Sequence, residues 1–516
     1  MKILRSLTTV GVFTMGSRIL GFGRDILTAA FLGAGPVADA LVVAVKLPSL
    51  LRRLLAEGAF NFAFIPMFAG KYADKGKKDA KHFAEEILAV LLVTLIAVVI
   101  IIELVMPWLM PIFVPGFRAT PERMQLAIQF TRITFPFIIF ISLTALYSGI
   151  LNSIDRFAAV ASSPMVGNFF IIVVVLALNP FFKDPGVIVA AGITGCGLVQ
   201  LLWVMEPCRR QGIILKLRRP SLTPQVKKFL TLMGPAALGS GVYQFNIIIG
   251  VAISSLLPIG GVSYLYYAER LNQLPLSMIG TALSTVLLPL LSKQLRAGDL
   301  EGARASQNQG IEYALLFTLP ATVGLVCLAT PLISVLFERG EFGSRESLLT
   351  AQALMAYSCG LPAYVMTKIF NTSFYAREDM KTPLKVAIWA VLIDILLSVV
   401  LLKPFGHIGI ALATAAAAWF NATALGCILW KDGFLKFNQT LRYFFPRLLI
   451  ACAIMLIGLE IAKSQLIFLM GGNTFERLTA LCLLVLGGLT AFILLARLTG
   501  ALNLKELRLQ FKSETK

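Results

Sequence analysis

The chain has 516 residues, of which 57% are hydrophobic and only 14% charged, and its mean hydropathy is +0.82. A soluble protein carries about 25% charged residues, so a soluble enzyme or a soluble binding module is excluded. The formal charge of +19 does not indicate nucleic-acid binding, because lysine and arginine concentrate in alternate loops, as the positive-inside rule requires of a membrane protein.

Apolar runs of about 20 residues recur from end to end, the length that crosses a bilayer as a helix. The fold class is therefore all-α and polytopic. Fourteen spans are predicted, and the first seven are 7–33, 38–70, 84–112, 125–151, 158–180, 187–207 and 226–257. The second seven are 262–292, 310–337, 348–375, 384–403, 407–430, 442–463 and 476–499. Lys2 and Arg5 before an apolar stretch imitate a signal peptide, but the stretch runs on through Arg18, Arg24 and Asp25, so it reads as a retained first span. Pro48, Pro136, Pro275 and Pro362 fall inside spans and are kink candidates.

Basic loops follow the even-numbered spans: Lys71–Lys81 after the second, and Arg209–Lys228 after the sixth. The loops between them are short and poor in lysine and arginine, and Gly33–Val37 and Pro258–Gly261 have none. This alternation places both termini in the cytoplasm. The seven cysteines form no CxxC pair and read as reduced thiols, and His82 and His407 make no metal constellation. Patterns for a serine triad, HExxH or a P-loop are absent from the sequence, so no enzymatic activity is expected.

An internal repeat organises the chain. Lys46 and Arg270, Pro107 and Pro331, Phe113 and Phe337, and Gly116 and Gly340 all stand 224 positions apart. Six spans per copy give parallel repeats related by an axis along the membrane normal. The expected division is an N-terminal lobe at 1–220, a second lobe at 221–437, and a C-terminal helix pair with a tail at 438–516.

Four arginines interrupt otherwise apolar spans: Arg18 and Arg24 on the first, Arg52 on the second, and Arg270 on the eighth. An arginine at mid-membrane costs roughly 2.5–3.5 kcal/mol on insertion scales. A cation-lined cavity for an anionic cargo gives that cost a use, since the guanidinium fork matches phosphate oxygens. Asp25, Asp39, Glu57 and Glu269 stand near these arginines and would pair with them when no cargo is present. The alternative is structural: buried salt bridges that fix helix packing, or snorkelling side chains. Asp394, alone in IWAVLIDILLSVV, is a candidate site for a monovalent cation or a proton, or a carboxylate paired with a neighbouring helix.

With these residues in place, the chain resembles the MurJ (MviN) family, the lipid II flippases of bacterial peptidoglycan synthesis. The most specific segment is SRILGFGRDILTAAFLGAGPVADALVVAVKLPSLLRRLLAEGAFNFAFIP, supported by SYLYYAERLNQLPLSMIGTALSTVLLPLLS and FYAREDMKTPLKVAI. The resemblance implies the multidrug/oligosaccharidyl-lipid/polysaccharide exporter fold, with a final helix pair forming a groove for the lipid tail. It carries the family's cavity arginines onto Arg18, Arg24, Arg52 and Arg270, and its acidic positions onto Asp39 and Glu269, with Asp25 and Glu57 also matching. Some members hold sodium between helices 7, 11 and 12. Asp394 matches that site, but the seventh span here offers no carboxylate.

The function so implied is alternating-access transfer of lipid II, an undecaprenyl-pyrophosphate-linked disaccharide pentapeptide, across the bacterial inner membrane. Arg24, Arg52 and Arg270 would hold the pyrophosphate, while Asp39 and Glu269 compete for them and assist release. No cofactor is expected, and membrane potential or a monovalent cation would supply the drive. Membrane lipids and the cell-wall synthesis machinery are the other expected partners. The rivals are a flippase for another polyprenyl-pyrophosphate glycan, and a cation-coupled drug antiporter, which would call for acidic rather than arginine-rich cavity helices. A membrane glycosyltransferase would need a catalytic loop larger than any here, and a scaffold would need no mid-membrane charge.

Overall fold

The computed structural model describes residues 2–53, 59–182, 184–436 and 438–502. Most of these residues are helical, and the one ladder contact among them is an isolated bridge between Arg339 and Phe342. Nine of the described helical segments are long and apolar enough to cross a membrane. The chain divides into two units: one runs through Ser263 and includes Arg339–Phe342, and the other holds Tyr264–Glu338 and the described residues after Phe342.

The first unit begins with α1 (Lys2–Leu32), then α2 (Pro36–Leu51), α3 (Ala59–Asp74) and α4 (Gly76–Phe113). A 3-10 turn at Pro115–Ala119 leads to α5 (Pro121–Thr134), α6 (Phe137–Ser153), α7 (Phe157–Leu178), α8 (Pro185–Arg210) and α9 (Pro224–Ser254). Helix α1 packs on α7, α7 and α6 on α8, and α2 on α5. Helix α9, expected to open the second lobe, packs against α3 and α4, so the observed division falls later than residue 220.

The prolines act as helix chemistry demands. Pro48 has no N–H to offer the carbonyl of Ala44, and the Thr134 hydroxyl on α5 donates to that carbonyl at 3.1 Å instead. Pro136 separates α5 from α6, and at this break Thr194 of α8 donates to the Ile133 carbonyl. Two glycines 224 positions apart mark close backbone approaches within this unit. A Cβ on Gly116 would lie 2.2 Å from the Ser255 carbonyl oxygen, and one on Gly340 (φ +58°) 2.2 Å from that of Ala30.

The second unit contains most of α10 (Gly261–Pro275), a π-helical turn at Leu276–Gly280, α11 (Thr281–Arg296), α12 (Leu300–Cys327) and α13 (Ala329–Phe337). It continues with α14 (Ser344–Ser358), α15 (Leu361–Ala376), α16 (Lys381–Lys431), α17 (Gln439–Gln465), α18 (Ile467–Met470) and α19 (Thr474–Leu498). Helix α16 bends at Gly406 (φ +54°, ψ −128°), where the sequence separates its eleventh and twelfth spans. Helix α12 packs against α15 and α17, and α17 against α19. The spans predicted at 125–151, 262–292, 310–337 and 348–375 are each divided in the fold, and the span at 38–70 runs across residues 54–58, which lie outside the described residues. Arg52 and Arg53, at the end of α2, are π-helical, and Arg52 precedes Leu276 by the repeat offset of 224. The second helix of both repeats therefore loses α geometry at the same point, a feature that recurs at functional sites.

Candidate functional site

In the first unit, Arg24 is held from two sides. Its Nε and Nη2 donate to Asp25 Oδ1 at 3.1 and 2.7 Å, and its Nη1 donates to Asn168 Oδ1 at 2.9 Å. Asn168, on α7, donates in turn to the Ser17 carbonyl at 3.1 Å, which fixes the direction of its amide. Gly21 leaves room for this contact, since a Cβ there would come within 3.2 Å of Asn168 Nδ2. Asp25 is 5% exposed, while Arg24 is only part-buried. Arg52 is part-buried at the end of α2, and Arg18 is exposed on α1. Glu57 lies outside the described residues.

Asp39 is placed elsewhere. It is fully buried, and its carboxylate accepts from Arg123 Nη2 at 3.0 Å, Gly260 N at 2.8 Å, Ser263 N at 2.9 Å and Ser263 Oγ at 2.7 Å. Arg123, 2% exposed, also donates to the Leu257 carbonyl at 3.3 Å and lies 4.0 Å over the Phe117 ring. A buried carboxylate with a cation and three further donors is satisfied, which makes this cluster a clasp on the first turn of α10. Arg123 and Ser263 were not singled out in the sequence. Arg123 sits in PERMQLAIQF, whose mixed polarity gives no sign of burial, so its pairing with Asp39 shows only in three dimensions.

In the second unit, Arg270 Nη2 donates to the Tyr266 hydroxyl at 2.9 Å, and its guanidinium lies 4.9 Å from the centre of that ring. The neighbouring Glu269 accepts from Gln273 at 2.7 Å. Lys368 on α15 crosses the π-helical turn, its chain 2.9 Å from where a Gly280 Cβ would stand. Asp394 lies beside the hydroxyls of Ser398 and Thr414 within α16. Among the described residues no group of three or more histidine, cysteine or acidic side chains forms a metal site. Glu103 pairs with Arg132 at 3.9 Å and Glu460 with Lys463 at 2.7 Å, which gives both acids a structural partner. All seven cysteines are free thiols.

This all-helical architecture defines a class, that of polytopic helical membrane proteins, and its fold is shared with transporters of the MOP superfamily. A multidrug resistance MATE family transporter of that superfamily in an inward-facing conformation matches 81% of this chain and 94% of its own, with a TM-score of 0.68 at 16% identity. A solved structure of lipid II flippase MurJ in an inward closed conformation matches more fully, with a TM-score of 0.79 at 26% identity over 95% of this chain and 98% of its own. The family description "Lipid II flippase MurJ" matches residues 28–471. A probable lipid II flippase MurJ of Rhizobium meliloti is 38% identical over 99% of this chain and 97% of its own. The lipid II flippase MurJ of Burkholderia cenocepacia is 34% identical over 89% and 90%. The chain belongs to the lipid II flippase MurJ family.

Proposed function

We propose that this chain transfers lipid II from the inner to the outer leaflet of the bacterial cytoplasmic membrane, with both termini in the cytoplasm. The observation that carries this reading, beyond family membership, is the held guanidinium of Arg24. Asp25 and Asn168 set its plane before cargo arrives, so little orientation entropy remains to be lost on binding. Arg24, Arg52 and Arg270 hold the pyrophosphate, Arg18 adds positive field, and the polyprenyl tail stays in lipid. Carrying the headgroup through hydrocarbon unaided requires stripping water from its charges, and fixed donors replace that water.

Release needs competitors for the arginines. Asp25 is already bonded to Arg24, and Glu269 precedes Arg270, so these two acids take back the guanidiniums as the phosphate leaves. Asp39 we assign to the clasp on α10. Ser263, which it holds, stands seven residues before Arg270, so opening the clasp frees the turn that positions Arg270. Membrane potential, negative inside, favours outward movement of the anionic headgroup or inward return of the positive site.

The test is complementation of a flippase-depleted bacterium with Arg24→Ala, Arg52→Ala and Arg270→Ala chains that insert at normal levels. Loss of growth with each is expected, since a charge-assisted contact is worth about 1.5–3 kcal/mol. Full rescue by all three overturns the assignment. Lysine at the same positions then asks whether the planar fork is needed or only the charge.

A further inference from the structure

The segment joining α8 to α9 carries chemistry that lipid II transfer does not use. Residues 211–223 contain no regular secondary structure, yet they are fastened along their length to the start of α4. Lys77 donates to the Gln211 carbonyl, Glu85 accepts from Lys216 N at 3.1 Å and Arg218 Nε at 2.6 Å, and the Thr223 hydroxyl donates to Glu86 at 3.0 Å. Ile213 is buried and Leu215 half-buried in the phenylalanine-rich cluster of α3 and α4. The opposite side of this strap presents Ile214, Leu217 and Leu222, which are 54%, 68% and 62% exposed, interleaved with exposed Lys216 and Arg219.

A strap held this firmly cannot turn those three aliphatic side chains inward. Its ends fix its depth: α8 is an apolar span that finishes at Arg210, and α9 begins at Pro224. The strap therefore lies where hydrocarbon gives way to water. Aliphatic side chains alternating with lysine and arginine at that level match the chemistry of an anionic lipid surface. Single aliphatic residues spread along a line suit insertion between lipids better than a compact protein hot spot.

We propose that residues 211–223 form an interfacial anchor that binds acidic phospholipid. Ile214, Leu217 and Leu222 enter the boundary between headgroups and acyl chains, and Lys216 and Arg219 meet the headgroup phosphates. Arg218 is engaged with Glu85 and holds the strap rather than the lipid.

The test is hydrogen–deuterium exchange of the full chain in nanodiscs of phosphatidylcholine, with and without phosphatidylglycerol. Amides of 211–223 are expected to exchange several-fold more slowly when phosphatidylglycerol is present. Lys216→Glu with Arg219→Glu is expected to weaken that response roughly tenfold, and Leu217→Ser with Leu222→Ser to reduce it further. Equal exchange of the wild-type chain in both discs overturns the proposal, and this comparison decides alone if a variant misfolds. Protection by soluble glycerol phosphate in neutral discs, or only after adding cytosolic protein, overturns it as well.

Discussion

Arg123 and Asp39 form a deeply buried ion pair, with side chains 2% and 0% exposed. Removing one partner strands a charge without water, so Arg123→Ala is expected to destabilise the protein by about 3–5 kcal/mol. Thermal unfolding in detergent measures this, and Arg123→Met combined with Asp39→Asn is expected to recover most of the loss. An unchanged midpoint for Arg123→Ala contradicts the clasp. The pair also marks how far single residues were legible. Asp39 stood out because a carboxylate in an apolar helix is costly, while Arg123 looked like an ordinary residue of a polar helix start. Arg24 and Asp25 stand out in the same way, whereas Asn168 does not, because a neutral amide in an apolar helix carries little energetic signal. Its place became visible only through its bonds to Arg24 and Ser17.

At the level of elements, the apolar spans were legible and their breaks were not. Hydropathy sums over a window, and a helix broken at a satisfied carbonyl is as apolar as a continuous one. The prolines were the available signal, but what heals each break is distant in sequence, as with Thr134 and the Ala44 carbonyl. Thr134→Val removes that donor and is expected to cost about 1 kcal/mol, read as a lowered thermal midpoint. Gly116→Ala is expected to cost more, because the new Cβ meets the Ser255 backbone at 2.2 Å rather than a side chain that can move. A third element-scale device is the start of α16. Asp379 accepts from Lys381 N and Thr382 N, both at 3.0 Å, and the Thr382 hydroxyl, the amides and the nearby Arg377 hold its carboxyl below the usual carboxylate range. Because the folded value is lowered, this stabilisation is present above the ordinary carboxylate range and fades as pH falls through the lowered one. Asp379→Ala is expected to cost about 1 kcal/mol near neutral pH and nothing measurable in strong acid, as midpoints across a pH series would show.

For the whole molecule, the repeat read at an offset of 224 recurs as structure. The two second helices lose α geometry at Arg52 and Leu276, and Gly116 and Gly340 are both points of close backbone approach. The division between units was less legible, since α9 follows the basic loop in sequence but packs with α3 and α4. The proposed function asks Arg24, Arg52 and Arg270 each to contact the pyrophosphate of the cargo. The measurement that tests this most directly is the affinity of the purified chain for lipid II, set against an undecaprenyl pyrophosphate bearing another glycan and an undecaprenyl lipid without phosphate. The account predicts that lipid II binds most tightly and the phosphate-free lipid scarcely binds. It also predicts that Arg24→Ala, Arg52→Ala and Arg270→Ala each weaken lipid II binding by roughly ten- to a hundredfold. Equal binding of all three lipids, or undiminished lipid II binding by the three variants, would contradict it.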